Sequence, residues 1–168
     1  MIPGEQSPLV GVLIGSKSDL PVAQPCLDLL QRFGIPHHLA IASAHRTPEL
    51  VESTVAKLEP TVLVYIAFAG MAAHLAGVVA SKTTKPVIGV PISSALKGLD
   101  ALLSTMQMPS GVPVGTMAVD GAKNAALFAA SILALSAAGE RLALAKKLAD
   151  YRAVQEEAVL EANRDLST

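Results

Sequence analysis

The chain has 168 residues, 51% of them hydrophobic and 16% charged, with a formal net charge of −1; that fits a single domain, residues 1–168, with a proper core. Scattered Lys and Arg, three Phe, two Tyr and no Trp leave neither a basic footprint nor a stacking platform, which argues against nucleic acid as a partner. The shortage of charge and a mean hydropathy of +0.48 point instead to a surface partly covered by other copies of the chain, a homo-oligomer.

Residues 1–8 carry no basic or apolar segment of a secretory signal, which together with the lone Cys26 suggests a cytoplasmic protein. The first apolar run, 9–14, reads as a strand. Gly15-Ser16-Lys17-Ser18-Asp19 then opens a helix over 21–33, with Ser18 or Asp19 as N-cap, Pro21 in the first turn, and Gly34 and Pro36 as the stop. Cys26 falls on this amphipathic helix as a core thiol. His37 and His38 enter a second strand, 38–42, at the edge away from the turns, and read as structural. Further strands are expected at 62–67, 87–90 and 114–119, and helices at 48–58, 72–81, 99–106 and 122–136. Gly139 separates a last amphipathic helix, about 140–163. Its apolar residues Leu144, Leu148, Tyr151, Ala158 and Val159 suit packing on a neighbouring subunit or on the chain's own domain. The longest apolar stretch, 125–138, falls short of the ~20 residues of a membrane span, so no membrane partner is expected.

Alternating strands and helices mean an α/β fold with a parallel sheet covered on both faces. Ligands of such sheets sit at the carboxyl edge of the strands, so the polar residues there are the ones to weigh. Gly15–Asp19 offers a tight turn and two hydroxyls at a helix start; an ordinary capping box and an anion or hydroxyl-rich ligand site both fit it. In Ser43-Ala44-His45-Arg46-Thr47-Pro48, Arg46 supplies a planar fork suited to phosphate, and His45 can titrate near neutral pH. The alternative there is a helix N-terminus with a surface Arg and a capping Ser43 or Thr47. Gly70 lets backbone approach a ligand closely. His74, set in Ala72-Ala73-His74-Leu75-Ala76-Gly77, reads as a satisfied core histidine. Ser93 and Ser94 follow the fourth strand, and Asp100 and Asp120 lie near loops without an evident partner. Neither metal-ligand clusters nor a Gly-x-Ser-x-Gly elbow appear.

Gly15-Ser16-Lys17-Ser18-Asp19, Ser43-Ala44-His45-Arg46-Thr47-Pro48 and Ala72-Ala73-His74-Leu75-Ala76-Gly77 resemble the signature of the PurE family. So do Pro86-Val87-Ile88-Gly89-Val90-Pro91, Gly98-Leu99-Asp100-Ala101-Leu102-Leu103-Ser104 and Gln107-Met108-Pro109-Ser110-Gly111-Val112-Pro113-Val114, in the family's order and over nearly the whole chain. The resemblance implies a flavodoxin-like three-layer αβα sandwich with a C-terminal helix, and a homo-octamer with sites between subunits. It implies an N5-carboxyaminoimidazole ribonucleotide mutase of purine biosynthesis, with aminoimidazole ribonucleotide carboxylation from free carbon dioxide as the alternative. No cofactor and no metal are implied. His45 would be the proton carrier, and the small-molecule ribonucleotide would be bound by Ser16, Asp19 and Arg46 with Ser43 nearby. His74, beside Gly70 and Leu75, would line the pocket for the carboxylate or liberated carbon dioxide. Met71 and Ala76 stand where the family's mutases usually have Gly and Pro. The Ala72-Ala73-His74-Leu75 core and Arg46-Thr47-Pro48 side with the mutases. A flavin carrier would want an aromatic against the ring, and a phospho-receiver would want clustered acids after the first strand; neither is present.

Overall fold

The β-branched apolar runs form the three central strands β1 (Val10–Ile14), β3 (Val64–Gly70) and β4 (Val87–Ile92), flanked by β2 (His37–Ile41) and the short β5 (Gly115–Thr116). The protein is described by a computed structural model over residues 7–166. All pairings are parallel, in the order β2-β1-β3-β4-β5. This is the expected flavodoxin-like order, whose direction reverses between β1 and β3 and opens a crevice at their carboxyl ends. The connecting helices are α1 (Leu20–Arg32), α2 (Pro48–Leu58), α3 (Leu75–Ala80), α4 (Leu99–Met106), α5 (Ala122–Leu133), α6 (Ala137–Arg141) and α7 (Leu144–Asp165).

Strand alternation sorts the core into two layers. Val10, Val12, Ile14, Val64, Ile66, Phe68, Ile88, Val90 and Ile92 face α1 and the alanine side of α5. Leu13, Tyr65, Ala67 and Val87 face α2 and α3. Gly11 belongs to the second face, where a Cβ would stand 2.7 Å from the Tyr65 ring; its missing side chain makes room for the phenol. Tyr65 is buried, and its hydroxyl donates to Val55 O or Glu59 Oε2, each at 3.2 Å. No helix among the described residues is long and apolar enough to cross a membrane. The expectation about a secretory signal falls on residues 1–8, of which 1–6 lie outside the described residues.

The expected elements are all present, α2 and α4 with the expected bounds and the others shifted. β3 starts at Val64 because the Val62 N–H still closes the end of α2 on Leu58 O at 3.0 Å. β5 keeps only two of six expected residues, since Met117 makes one more bond to Gly89 O before the chain turns at Asp120, whose φ is +57°. α3 begins three residues late, after tight turns in which Ala73 N donates to Met71 O and His74 N to Ala72 O. Gly139 is not the expected separator. It is buried inside α6, where a Cβ would collide with the Leu133 carbonyl. The break before α7 falls instead at Ala143, with φ +51°.

The start of α7 packs on the chain's own domain. Leu144 is buried, Leu148 and Tyr151 join the first core layer, Tyr151 meets Phe33 edge to face at 6.2 Å, and Lys147 Nζ donates to Phe33 O at 2.6 Å. From residue 152 to 166 the helix is exposed, Ala158 and Val159 included.

Candidate active site

Four strand ends supply the walls of one open cleft of about 690 Å³. After β1, Gly15 N donates to Phe68 O at 3.2 Å, which ties the turn to β3. Ser16 then caps a short 3-10 turn, its hydroxyl accepting from Ser18 N at 3.4 Å. Ser18 Oγ lies 3.0 Å from Ser16 Oγ and 3.2 Å from Asp19 Oδ1, and donates to one at a time. Asp19 holds the N-cap position of α1 without a capping bond. Its carboxylate instead accepts from the turn that precedes the helix. Burial raises its pKa above the ordinary 3.8, opposed by hydrogen bonds from Ser18, Ser16 and Gly15 and by the Arg46 charge.

After β2, the Thr47 hydroxyl accepts from Ser43 N at 2.9 Å, and Ser43 Oγ accepts from Arg46 N at 3.2 Å. Arg46 reaches back across the sheet edge. Its Nε donates to Ser43 Oγ at 3.3 Å and one Nη to Gly15 O at 3.0 Å. Two of five guanidinium N–H groups thus fix the fork in place, leaving the other donors for an anion.

After β3, Gly70 leads to Met71, a non-glycine residue at φ +57°. The two tight turns that follow bring His74 to the start of α3, where its Nδ1 lies 2.9 Å from His45 Nε2. One ring must donate to the other. His74 is exposed, so the reading of a core histidine is corrected: the turn at Met71 lifts it out of the apolar stretch.

The structure brings Ser16, Asp19, Ser43, His45, Arg46, Gly70, His74 and Leu75 together along this cleft. Ser18, the second hydroxyl of the Gly15–Asp19 turn, lines it too, as do Val22, Ala44, Ser93 and Ser94, which were not among the residues assigned to the ligand. Ser93 and Ser94 had a visible signal, two hydroxyls just past β4. Asp120, without an evident partner in the sequence, accepts from Ser93 N at 2.9 Å. Only folding reveals this, because 27 residues separate the two. His37 stays at the far edge, with Nδ1 3.0 Å from Ile35 O. Gln107 and Met108 lie outside the cleft and share a second hollow with His74, Gly77 and Leu103.

The family model described as AIR carboxylase matches residues 9–158. An N5-carboxyaminoimidazole ribonucleotide mutase of Methanocaldococcus jannaschii is 51% identical over 144 residues, covering 86% of this chain and 88% of its own. That of Thermotoga maritima is 47% identical over 156 residues, covering 92% and 89%. The crystal structure of Treponema denticola PurE superposes with a TM-score of 0.84 at 32% identity, over 96% of this chain and 99% of its own. On the span of that match, the shared fold and the strand-end motifs gathered in one cleft, the chain belongs to the AIR carboxylase (PurE) family.

Proposed function

We propose that this chain is an N5-carboxyaminoimidazole ribonucleotide mutase of purine biosynthesis, with His45 as its proton carrier. The observation that carries the reading is the 2.9 Å contact of His45 with His74, one residue from the guanidinium of Arg46, inside a single cleft. The names of the relatives from Methanocaldococcus jannaschii and Thermotoga maritima agree with it.

The reaction is an isomerisation and balances without a co-reactant. The bond from the exocyclic nitrogen to its carboxylate breaks, releasing carbon dioxide, and the nitrogen takes the electron pair and one proton. C4 then attacks the trapped carbon dioxide and loses its own proton to restore the aromatic ring. The proton gained at nitrogen equals the proton lost at C4, so one group that gives and then retakes a proton closes the cycle. His45 suits that task, since imidazole changes charge near neutral pH. The contact with His74, in which one ring donates to the other, holds the His45 imidazole in place. Arg46, with Ser43 beside it, and the Ser16–Asp19 turn bind the phosphate and ribose hydroxyls, and His74, beside Gly70 and Leu75, lines the pocket for the carboxylate.

The working unit in this reading is a cytoplasmic homo-octamer of single-domain chains. Exposed Leu96, Leu99, Leu103 and Met106 beside and along α4, and Val154, Val159 and Leu160 on α7, support close association of copies. The deciding experiment incubates the protein with the N-carboxylated ribonucleotide and, separately, with the uncarboxylated one plus bicarbonate. The 4-carboxylated product should form efficiently from the first. Equal efficiency from the second would make the protein a carboxylase instead.

A further inference from the structure

Three segments meet at the β4 corner of the cleft. β4 ends at Ile92, and Ser93 and Ser94 continue as the cleft wall. The turn behind them contains Lys97 at φ +54° and Gly98 at φ +83°. A Cβ on Gly98 would stand 2.5 Å from Val119 and 3.3 Å from the Ser93 backbone, so the 117–121 loop presses closely on this turn. Asp120 stitches the corner together. Its own N–H donates to Pro91 O at 2.9 Å, and its Oδ1 accepts from Ser93 N at 2.9 Å. It does so at φ +57°, a conformation that few residues but Gly, Asn and Asp adopt readily. Strained backbone held by such bonds gathers at ligand clamps. Asp120 does not line the cleft itself.

We infer that Asp120 is a positioning residue for substrate binding, holding the Ser93–Ser94 wall through the Ser93 N–H so that both hydroxyls face the ribonucleotide from the side of the cleft opposite Arg46. The inference rests on the proposed ribonucleotide-binding role of the cleft. Pro91 lacks an N–H and pairs in register with Ala69, so the wall beyond Ile92 leans on the Asp120 bonds where the strand ladder ends.

The test separates the side chain from the backbone. Asp120→Gly keeps the left-handed turn and removes the acceptor, whereas Asp120→Asn keeps both. With the N-carboxylated ribonucleotide, Asp120→Gly should raise KM roughly fivefold, the scale of one hydrogen bond, with kcat within about twofold. Asp120→Asn should restore KM to within about twofold of the unsubstituted protein. A KM unchanged in Asp120→Gly, a loss confined to kcat, failure of Asp120→Asn to rescue, or loss of cooperative unfolding in Asp120→Gly would each overturn the inference. If the unsubstituted protein failed to turn over the ribonucleotide, the proposed function would fall instead, and that result is distinct.

Discussion

His45 and His74 meet edge to face, with ring centroids 5.0 Å apart and planes 72° apart, across 29 residues of chain. Each comes from a different strand end, so the pair exists only in the folded protein. Replacing His45 with Asn keeps a polar side chain next to Arg46 and removes the titratable nitrogen. Turnover should fall roughly 10²-fold or more, the usual scale for a general acid–base group, with KM little changed. Arg46→Ala should raise KM first. His74→Asn should increase release of the uncarboxylated ribonucleotide, measured against 4-carboxylated product in the same reaction. Near-normal turnover by His45→Asn would move the proton carrier elsewhere.

Asp19 predicts an opposition between stability and binding. Burial lifts its folded pKa above 3.8, so the folded state binds more protons than the unfolded one as pH rises through that range. The contribution of Asp19 to stability is therefore full below about the ordinary pKa and is lost as pH climbs past the raised one. Asp19→Asn should melt higher than the unsubstituted protein at pH 7, with the gap closing toward pH 4, while ribonucleotide binding weakens. Thermal melts across that range read the sign, and a gap that widened in acid would contradict it.

Met71 is 63% exposed, so its side chain gains little from packing, yet it holds a left-handed backbone. That conformation costs an L-residue about 1–2 kcal/mol. Met71→Gly relieves the strain and adds some freedom to the unfolded chain, for a net gain of about 0.5–1 kcal/mol in urea unfolding. A net loss would mean that the thioether makes contacts worth more than the strain.

Cys26 is fully buried, and burial pushes its thiol up to about 12. The thiolate is the reactive form. A disulfide reagent at pH 8 should leave the native protein untouched and titrate one thiol per chain in denaturant. Rapid reaction in native buffer would show that the helix opens far more often than its burial implies.

Much of this was legible in the sequence because apolar runs and turn chemistry agree. β1 and β4 read as buried strands, α2 and α4 have the bounds expected of them, and the polar residues after each strand converge as parallel-sheet topology requires. The misreadings share one physical source, backbone turns that periodicity does not record. Met71 turns His74 from an apolar stretch into the open, Asp120 cuts β5 short and captures Ser93, and Ala143 rather than Gly139 breaks the last helical stretch. In each case a non-glycine residue takes the left-handed conformation usually assigned to Gly, and at Asp120 the bonds that hold it there join segments remote in the chain.

The last helix has a consequence for how the protein must be handled. α7 runs 22 residues, about 33 Å, yet only its opening turns grip the domain. The remaining turns are exposed within the protomer, and a helix so placed gains little from burial on its own chain. If copies of the chain seat those turns, as in the proposed homo-octamer, their binding energy adds to the fold by mass action. The melting temperature should therefore climb as protein concentration rises, and dilution alone should loosen the far end of α7 before it disturbs the sheet.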